Sequence, residues 1–548
     1  MPRRHPSPPW VPTCVVSLAC ALICAPLPAA PPALASPVQV RAVHGEDGLG
    51  DEYFPWHGNG GYDVGHYAVR LRYRPGEDRL RGTTTLWLRP TQDLASLNLD
   101  FALDPTRVLV DGRPASFARE DTELRVTPAG FLRTGRTAAV TVSYDAVPSQ
   151  VLVDGRSAWH RTSDGAMAVG EPSISAWWFP GNDHPRDKAT FDVSVAVPTD
   201  GGRTKVISNG TLRGVSHEPG WTRWNWRSSR PTATYLMFLA IGRYEMEFSR
   251  SSRGLEQVLA WHSDLGEAGE AARTSLRRSG EILDFLSAEF GPYPFEAEGG
   301  VVGPADGVEF ALENQTRPVY APGFFTDGVN TSVIVHELAH QWFGDSVSLR
   351  RWKDIWLNEG LATYAQWLWS ERQGQGTAAE LFDHLYQKYP ADDRFWTIPP
   401  GDPGSTNLFS TPVYHRGAMA VHALRTTVGD RTFLRILRTW ARVHRFSDGT
   451  IEEFVDLAER CSGRQLDGLF TAWLMTPSRP RRPDATAEGG TGTLLRAAPT
   501  RAEGRTETLR APASLSTIER THAVRTSTRP IRDVVPRTGH SSHAGGAS

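Results

Sequence analysis

The period of the hydrophobic pattern changes once along this chain, near residue 246, and this change constrains the fold more than any other feature. Before it, segments such as "HYAVRLRY", "GTTTLWLRP" and "AAVTVSY" alternate apolar and polar residues, which is typical of half-buried strands. After it, segments such as "TSVIVHELAHQWFG" and "DRTFLRILRTWARVH" repeat apolar residues at helical spacing. The sequence therefore predicts an α+β multidomain chain, with an N-terminal antiparallel β domain (a sheet or sandwich) followed by a mostly α-helical domain.

A chain of 548 residues is too long for one hydrophobic core, so we expect several segments with separate roles. The predicted boundaries are a signal peptide at 1–35, the β domain at 36–246, the helical domain at 247–480 and a tail at 481–548. The tail is rich in Arg, Pro, Ser, Thr, Gly and Ala and has no apolar periodicity. This composition is typical of disorder.

The first residues have the pattern of a secretory signal peptide. Two arginines precede an apolar run at 11–27, and Ala33, Leu34 and Ala35 then form a small-residue cleavage pattern. The run is shorter than the ~20 residues that span a bilayer. We therefore expect cleavage after Ala35 and a secreted, extracellular bacterial protein that is not in the membrane. Lipid attachment within the apolar run, at Cys20 or Cys24, is the alternative.

The overall charge excludes a class of partner. The formal net charge is -2, with 22% charged and 39% hydrophobic residues. A nearly neutral chain of this composition is typical of a globular enzyme and lacks the basic excess of a nucleic-acid-binding protein. We expect no nucleic-acid partner, and the oligomeric state stays open.

One helical segment carries residues that can bind a metal. In "VIVHELAHQWFG", His336 and His340 are at i and i+4, so both imidazoles lie on one helix face and can reach one cation. Glu337 can approach the open side of that cation and accept a proton from water. Glu359, on the next predicted helix, can turn back as a third ligand. Two histidines and a glutamate with one open position are typical of a single catalytic Zn²⁺ ion.

At this point the sequence resembles the thermolysin-like zinc aminopeptidases of the aminopeptidase N family, in a short two-domain form. The resemblance covers about 51–480 and rests on "HELAHQWFGD", "WLNEGLATY", "GEPSISAWWFPGNDHPRDKATF" and "FALENQTRPVY". It implies that the helical domain is thermolysin-like. It also implies that the partners are peptide substrates with a free N-terminus.

The resemblance further implies which residues bind the substrate's α-amino group. In the family, a glutamate of a Gly-Ala-Met-Glu-Asn motif does so, and the matching residue here is Glu313. A glutamate of the β domain assists, and Glu171 occupies the matching position. This chain departs from the motif by having Phe310 and Leu312 in place of its glycine and methionine.

A tyrosine completes the residues that the resemblance implies. In the family, a tyrosine at the start of a Tyr-x-Lys-Gly-Ala helix stabilises the oxyanion of the tetrahedral intermediate. "YHRGAMAVHALR" supplies Tyr414 at this position, with Arg416 replacing the lysine. The leading hypothesis is a secreted zinc aminopeptidase. A zinc endopeptidase with the same chemistry and an inactive peptide-binding homologue are the alternatives, and the preferred first residue and physiological substrate stay open.

Overall fold

The computed structural model describes residues 42–153, 155, 157–483 and 511–525 of the chain. The predicted signal peptide at 1–35 therefore lies outside the described residues. Within the described part, no helix combines the length and the apolar character needed to cross a membrane.

The first half of the chain is built of strands. They are β1 (Val43–His44), β2 (Tyr62–Arg74), β3 (Arg79–Pro90), β4 (Leu94–Asp100), β5 (Pro105–Val110), β6 (Arg113–Pro114), β7 (Ser116–Glu120), β8 (Glu123–Thr127), β9 (Ala138–Ala146), β10 (Trp159–Arg161), β11 (Ala166–Ala168), β12 (Lys188–Pro198), β13 (Lys205–Ile207), β14 (Thr211–Glu218), β15 (Trp221–Ala233) and β16 (Leu239–Gly242).

These strands form three sheets. The largest has eight strands in the order β14-β15-β12-β2-β3-β9-β5-β6, and its pairs are antiparallel except for the parallel pair β12-β2. Along β2 and β3 the side chains alternate between buried and exposed, because successive residues of a strand point to opposite faces. Two four-stranded sheets, β1-β4-β8-β7 and β10-β11-β16-β13, complete this part. The predicted N-terminal β domain is confirmed.

The second half begins with a small sheet and continues with helices. The strands are β17 (Tyr244–Arg250), β18 (Glu256–His262), β19 (Ala297–Val302), β20 (Val319–Tyr320), β21 (Val347–Leu349) and β22 (Ser447–Gly449). The helices are α1 (Gly269–Arg277), α2 (Ser279–Phe290), α3 (Thr331–Ala339), α4 (Trp356–Gln373), α5 (Ala378–Lys388), α6 (Thr411–Val428), α7 (Asp430–Val443), α8 (Ile451–Ser462), α9 (Asp467–Phe470) and α10 (Leu515–Arg525). The predicted helical character of this half is confirmed.

The predicted domain boundary between residues 246 and 247 falls inside β17. This strand pairs with β18, and β18 pairs in parallel with β19, so the sheet continues into the helical half. The alternation of polarity in β17 matches that of the preceding strands. Sequence periodicity therefore could not distinguish the end of one sheet from the start of the next.

Helices α4 and α6 approach each other so closely that their backbones touch. Trp356 Nε1 donates to the carbonyl oxygen of Gly417 at 3.0 Å, and a Cβ atom on Gly417 would lie 3.1 Å from the Cα of Gly360. Only glycine leaves space for this crossing. Glu359 precedes Gly360 and Tyr414 lies one turn before Gly417, so the crossing brings these two predicted site residues together.

The C-terminal helix α10 contradicts part of the disorder predicted for 481–548. Its side chains Leu515 and Ile518 are 6% and 1% exposed, and the helix packs on α3 and α6. The polar composition concealed a short apolar face whose residues are spaced by one helical turn. The remaining parts of the predicted tail, 484–510 and 526–548, lie outside the described residues.

Candidate metal and peptide-binding site

Helix α3 positions the two histidines of the predicted metal site. Asn330 begins the helix by accepting hydrogen bonds from the backbone N–H groups of Ser332 and Val333, at 3.1 and 3.2 Å. His336 lies within the helix and His340 is its C-cap residue. The sequence therefore folds into the helical turn that the spacing of the histidines requires.

Three donor atoms meet at one point. His336 Nε2 lies 3.1 Å from Glu359 Oε2 and 3.2 Å from His340 Nε2, while His340 Nε2 lies 3.5 Å from Glu359 Oε2. Glu359 reaches this point from the first turn of α4, and all three side chains are fully buried. The structure thus brings together the three ligands that the sequence predicts.

The spacing of these atoms fits a tetrahedral zinc ion. Ligand atoms at the usual zinc distance of ~2.0–2.1 Å, separated by a tetrahedral angle, lie about 3.3 Å from one another. The three observed separations bracket that value. His336, His340 and Glu359 can therefore hold one Zn²⁺ ion without rearrangement and leave its fourth position open.

The second nitrogen of each imidazole is also held. His336 Nδ1 lies 3.2 Å from Gln366 Oε1, and His340 Nδ1 lies 3.0 Å from the carbonyl oxygen of Phe343. Both partners are acceptors, so each Nδ1 carries the proton and each Nε2 presents its lone pair to the metal. Gln366 is itself fixed, because its Nε2 donates to Ser332 Oγ at 2.8 Å. Gln366 could not be identified from the sequence, because its role depends on the packing of α4 against α3.

The electrostatic field of the site favours positive charge. Burial lowers the pKa of His340, but the carboxylates of Glu313, Glu359 and Glu337 raise it by more, to about 9. Acceptor atoms of Glu313, Glu337 and His340 lie within 4.8 Å of one another. A divalent cation would supply the charge that these buried carboxylates require. Glu337, predicted as the general base, and Glu313, predicted to bind the α-amino group, therefore both lie beside the metal ligands.

The loop that carries Glu313 is fixed from two sides. From the turn that follows α3, Gln341 Nε2 donates to the carbonyl oxygen of Glu313 at 3.0 Å, and Gln341 Oε1 accepts from Thr316 N at 2.8 Å. From the β domain, Asn209 Nδ2 donates to the carbonyl oxygen of Gln315 at 2.9 Å. The position of Glu313 relative to the metal site therefore depends on both halves of the molecule.

The charges of Glu313 and of Glu171, a residue of the β domain, both act on the buried phenol of Tyr235. Burial raises the pKa of Tyr235 well above its ordinary value, and the negative charges of Glu313 and then Glu171 raise it further. The phenol therefore stays neutral. Tyr235 could not be identified from the sequence, because in "TYLMFLAIG" it has only the pattern of a buried aromatic residue.

Tyr414 and Arg416 lie on the first turns of α6 but point to different places. Tyr414 is fully buried, and its ring centroid lies 6.0 Å from that of His336, so the predicted oxyanion donor is close to the metal ligands. Arg416 donates to the carbonyl oxygens of Trp396 and Trp473, at 2.6 and 2.9 Å. Arg416, which replaces the family's lysine, thus binds backbone carbonyl groups of the helical domain.

Two models of known protein families match the chain. The Peptidase M1 N-terminal domain matches residues 65–236 and the Peptidase family M1 domain matches residues 326–473, which together are more than half of the chain.

Individual relatives agree with these matches. Aminopeptidase M1 of Arabidopsis thaliana is 25% identical over 58% of this chain and 37% of its own length, and a probable aminopeptidase 2 of Sulfurisphaera tokodaii is 27% identical over 54% and 39%. The chain thus spans well under half of the length of these relatives.

The crystal structure of an M1 zinc metallopeptidase from Deinococcus radiodurans is 28% identical, with a TM-score of 0.71 over 81% of this chain and 100% of that one. A mutant of the Deinococcus protein bound to a Tyr-Ser-Ala substrate has a TM-score of 0.70 and 28% identity over 80% and 100%.

Replacing Gln366 by alanine should weaken metal binding, because His336 loses the acceptor that orients its ring. Loss of such a contact typically costs 10–100-fold in metal affinity. Competition for Zn²⁺ with a coloured chelator measures this without reference to activity. The control is Gln375→Ala, an exposed glutamine just after α4. Equal affinities of the two variants would contradict the role given to Gln366.

Proposed function

Because the chain belongs to peptidase family M1, we propose that it is a zinc-dependent aminopeptidase that removes N-terminal residues from peptides. The observation that carries this proposal is the convergence of Glu313, Glu337 and His340 beside the triad His336, His340 and Glu359. One group of side chains suits a metal, and the carboxylate next to it suits a substrate ammonium group.

The metal ligands and Glu337 have separate tasks. Zn²⁺ held by His336, His340 and Glu359 supplies Lewis acidity toward the scissile carbonyl and lowers the pKa of water. Glu337 follows His336 on α3 and is fully buried beside His340. Its carboxylate accepts a proton from the attacking water and passes it to the leaving amine.

Tyr414 acts on the charge that develops during the reaction. When water adds to the carbonyl carbon, the carbonyl oxygen becomes an oxyanion, and a phenol held in a dry site stabilises it by donating a hydrogen bond. Tyr414 is buried at the start of α6, and its ring lies close to that of His336. This contact strengthens in the transition state, so it contributes to turnover more than to substrate binding.

Glu313 and Glu171 determine which peptide bond is cleaved, because they bind the amino group of the substrate. A free α-ammonium group carries the positive charge that two neighbouring carboxylates require, and the hydrogen bonds between them are charge-assisted. Since Glu313 lies within 4.8 Å of His340, a bound ammonium group places the first peptide bond of the substrate at the metal.

Two other functions compete with this one. An endopeptidase would use the same metal, Glu337 and Tyr414 but would not need a free amine. An inactive peptide-binding homologue would not need the metal ligands, Glu337 and Tyr414 to lie close together. The short distance between the carboxylates of Glu313 and Glu337 favours an exopeptidase over an endopeptidase. The complete set of metal ligands favours an enzyme over an inactive peptide-binding homologue.

A Glu337→Gln variant should retain zinc and lose activity, because the amide cannot accept the proton. We expect kcat/KM to fall about 10²–10⁴-fold, the usual contribution of general-base catalysis. Zinc content by metal analysis should stay unchanged. Glu309→Gln, an exposed glutamate before the Glu313 loop, is the control and should behave as the native protein. Full activity of Glu337→Gln would remove the proposed mechanism.

An aminoacyl anilide should be cleaved and its N-acetylated form should not, because acetylation removes the charge that Glu313 and Glu171 bind. Glu313→Gln should lower kcat/KM for the free-amine substrate about 10–100-fold, the range of one hydrogen bond to a charged group. Comparison of the two substrates by absorbance at several concentrations measures both effects. Similar rates on both substrates would instead indicate the endopeptidase.

We also propose that the protein is exported. What supports this is the sequence of residues 1–35, whose charged start, apolar run and small-residue end are typical of a signal peptide. Protein recovered from the culture medium should begin at Ser36 by N-terminal sequencing. Recovery only from cells, with residues 1–35 intact, would contradict export.

A further inference from the structure

Helix α10 lies against the side chains that the proposed mechanism uses. The imidazole of His522 stacks on the phenol of Tyr414, with ring centroids 4.5 Å apart and an interplanar angle of 28°. The same imidazole lies 5.1 Å from the ring of His336 and 5.2 Å from that of His415. A segment far from these residues in sequence thus reaches the wall of the catalytic site.

Hydrogen bonds hold α10 to the helix that supplies Glu359. His522 Nε2 lies 3.1 Å from Gln366 Oε1, the same oxygen that contacts the metal ligand His336. At the other end, the hydroxyl groups of Ser514 and Ser370 are 2.7 Å apart. The contacts of α10 therefore follow one face of α4 from the metal site to its C-terminal end.

Apolar burial and two ion pairs at the rim add to these contacts. Ile518 is 1% exposed and lies one turn before His522. Lys388 Nζ lies 2.5 Å from Glu519 Oε1, and Arg520 forms an ion pair with Asp327. Partners on α5 and beside α3 thus fasten the helix from both sides.

The position of α10 relative to Glu313 indicates what it excludes. Glu313 and Glu171 come from the loop before α3 and from the β domain, whereas α10 packs on α3 and α6, beside Tyr414. A peptide whose amino group is bound by Glu313 must pass the metal and continue along the wall that carries Tyr414. The ring of His522 stacks on Tyr414, so a peptide that reaches the hydroxyl of Tyr414 would pass directly beside α10.

We propose that residues 511–525 are an intramolecular inhibitor that occupies the leaving-peptide side of the catalytic cleft. This inference rests on the proposed function, because it assigns a regulatory role to the wall that carries Tyr414. The segment is part of the same chain, so its effective concentration at the cleft is of order millimolar and weak contacts suffice to hold it. Activity then requires its displacement, and substrates that extend further on the leaving side are inhibited more.

Ile518→Asp in the full chain should release α10, because a carboxylate cannot remain in that buried position unpaired. We expect kcat/KM on a peptide of several residues to rise about tenfold, because the fraction of molecules in which α10 is displaced rises toward one. The rise should be smaller for an aminoacyl anilide. Ser516→Asp, which places the same charge on the exposed face of α10, is the control and should leave activity unchanged.

A charge reversal tests docking independently of a burial defect. Glu519→Lys opposes Lys388 and should raise kcat/KM a few-fold. Adding Lys388→Glu restores an ion pair and should lower kcat/KM to the native value. A general effect on stability would not be reversed by the second substitution.

The outcomes separate this inference from the proposed function. Equal activity of the native protein, Ile518→Asp and Ser516→Asp on peptides of every length would overturn the inference and leave the aminopeptidase intact. No hydrolysis by any of them when loaded with zinc would overturn the proposed function, and with it the inference. A rise in Ile518→Asp that Ser516→Asp does not share, reversed in the charge-swapped pair, would support both.

Discussion

Burial of negative charge is the constraint on which this structure depends. Glu313, Glu337 and Glu359 are all fully buried, and taking an ionised carboxylate out of water into such a place costs several kcal/mol. Their charge raises the pKa of His340 to about 9, so the site favours positive charge. The crossing of α4 and α6, the cap of α3 and the fastening of the Glu313 loop all hold these carboxylates in one place. The positive charges of a bound metal and a substrate ammonium group would offset the remaining cost of burying these carboxylates.

Local signals in the sequence predicted the parts of the site that one element supplies. The spacing of His336 and His340 identified a metal-binding helix, and alternating polarity identified the strands of the β domain. Gln366 and Tyr235 could not be found this way. Gln366 orients His336 from another helix, and Tyr235 is affected by two carboxylates from different halves, so both relationships arise only from long-range packing.

The C-terminal region shows the limit of composition as a guide. Arginine, proline and small residues dominate it, and disorder is the expectation for such a sequence. Leu515 and Ile518 are nevertheless enough to dock a helix, because α3 and α6 supply a packing surface and α4 adds Ser370 and Gln366 as polar partners. A segment too polar to form a core can still pack on one made by the rest of the chain.

The fastening of the Glu313 loop has a consequence for how cleavage stays in register. Gln341 holds Glu313 and Thr316 from the residue immediately after the metal ligand His340. In the proposed aminopeptidase, the Gln341 side chain therefore helps to fix the distance between the site that binds the substrate's amino group and the metal site. Asn209 of the β half holds the same loop, so both halves of the molecule help to set which peptide bond would be cut.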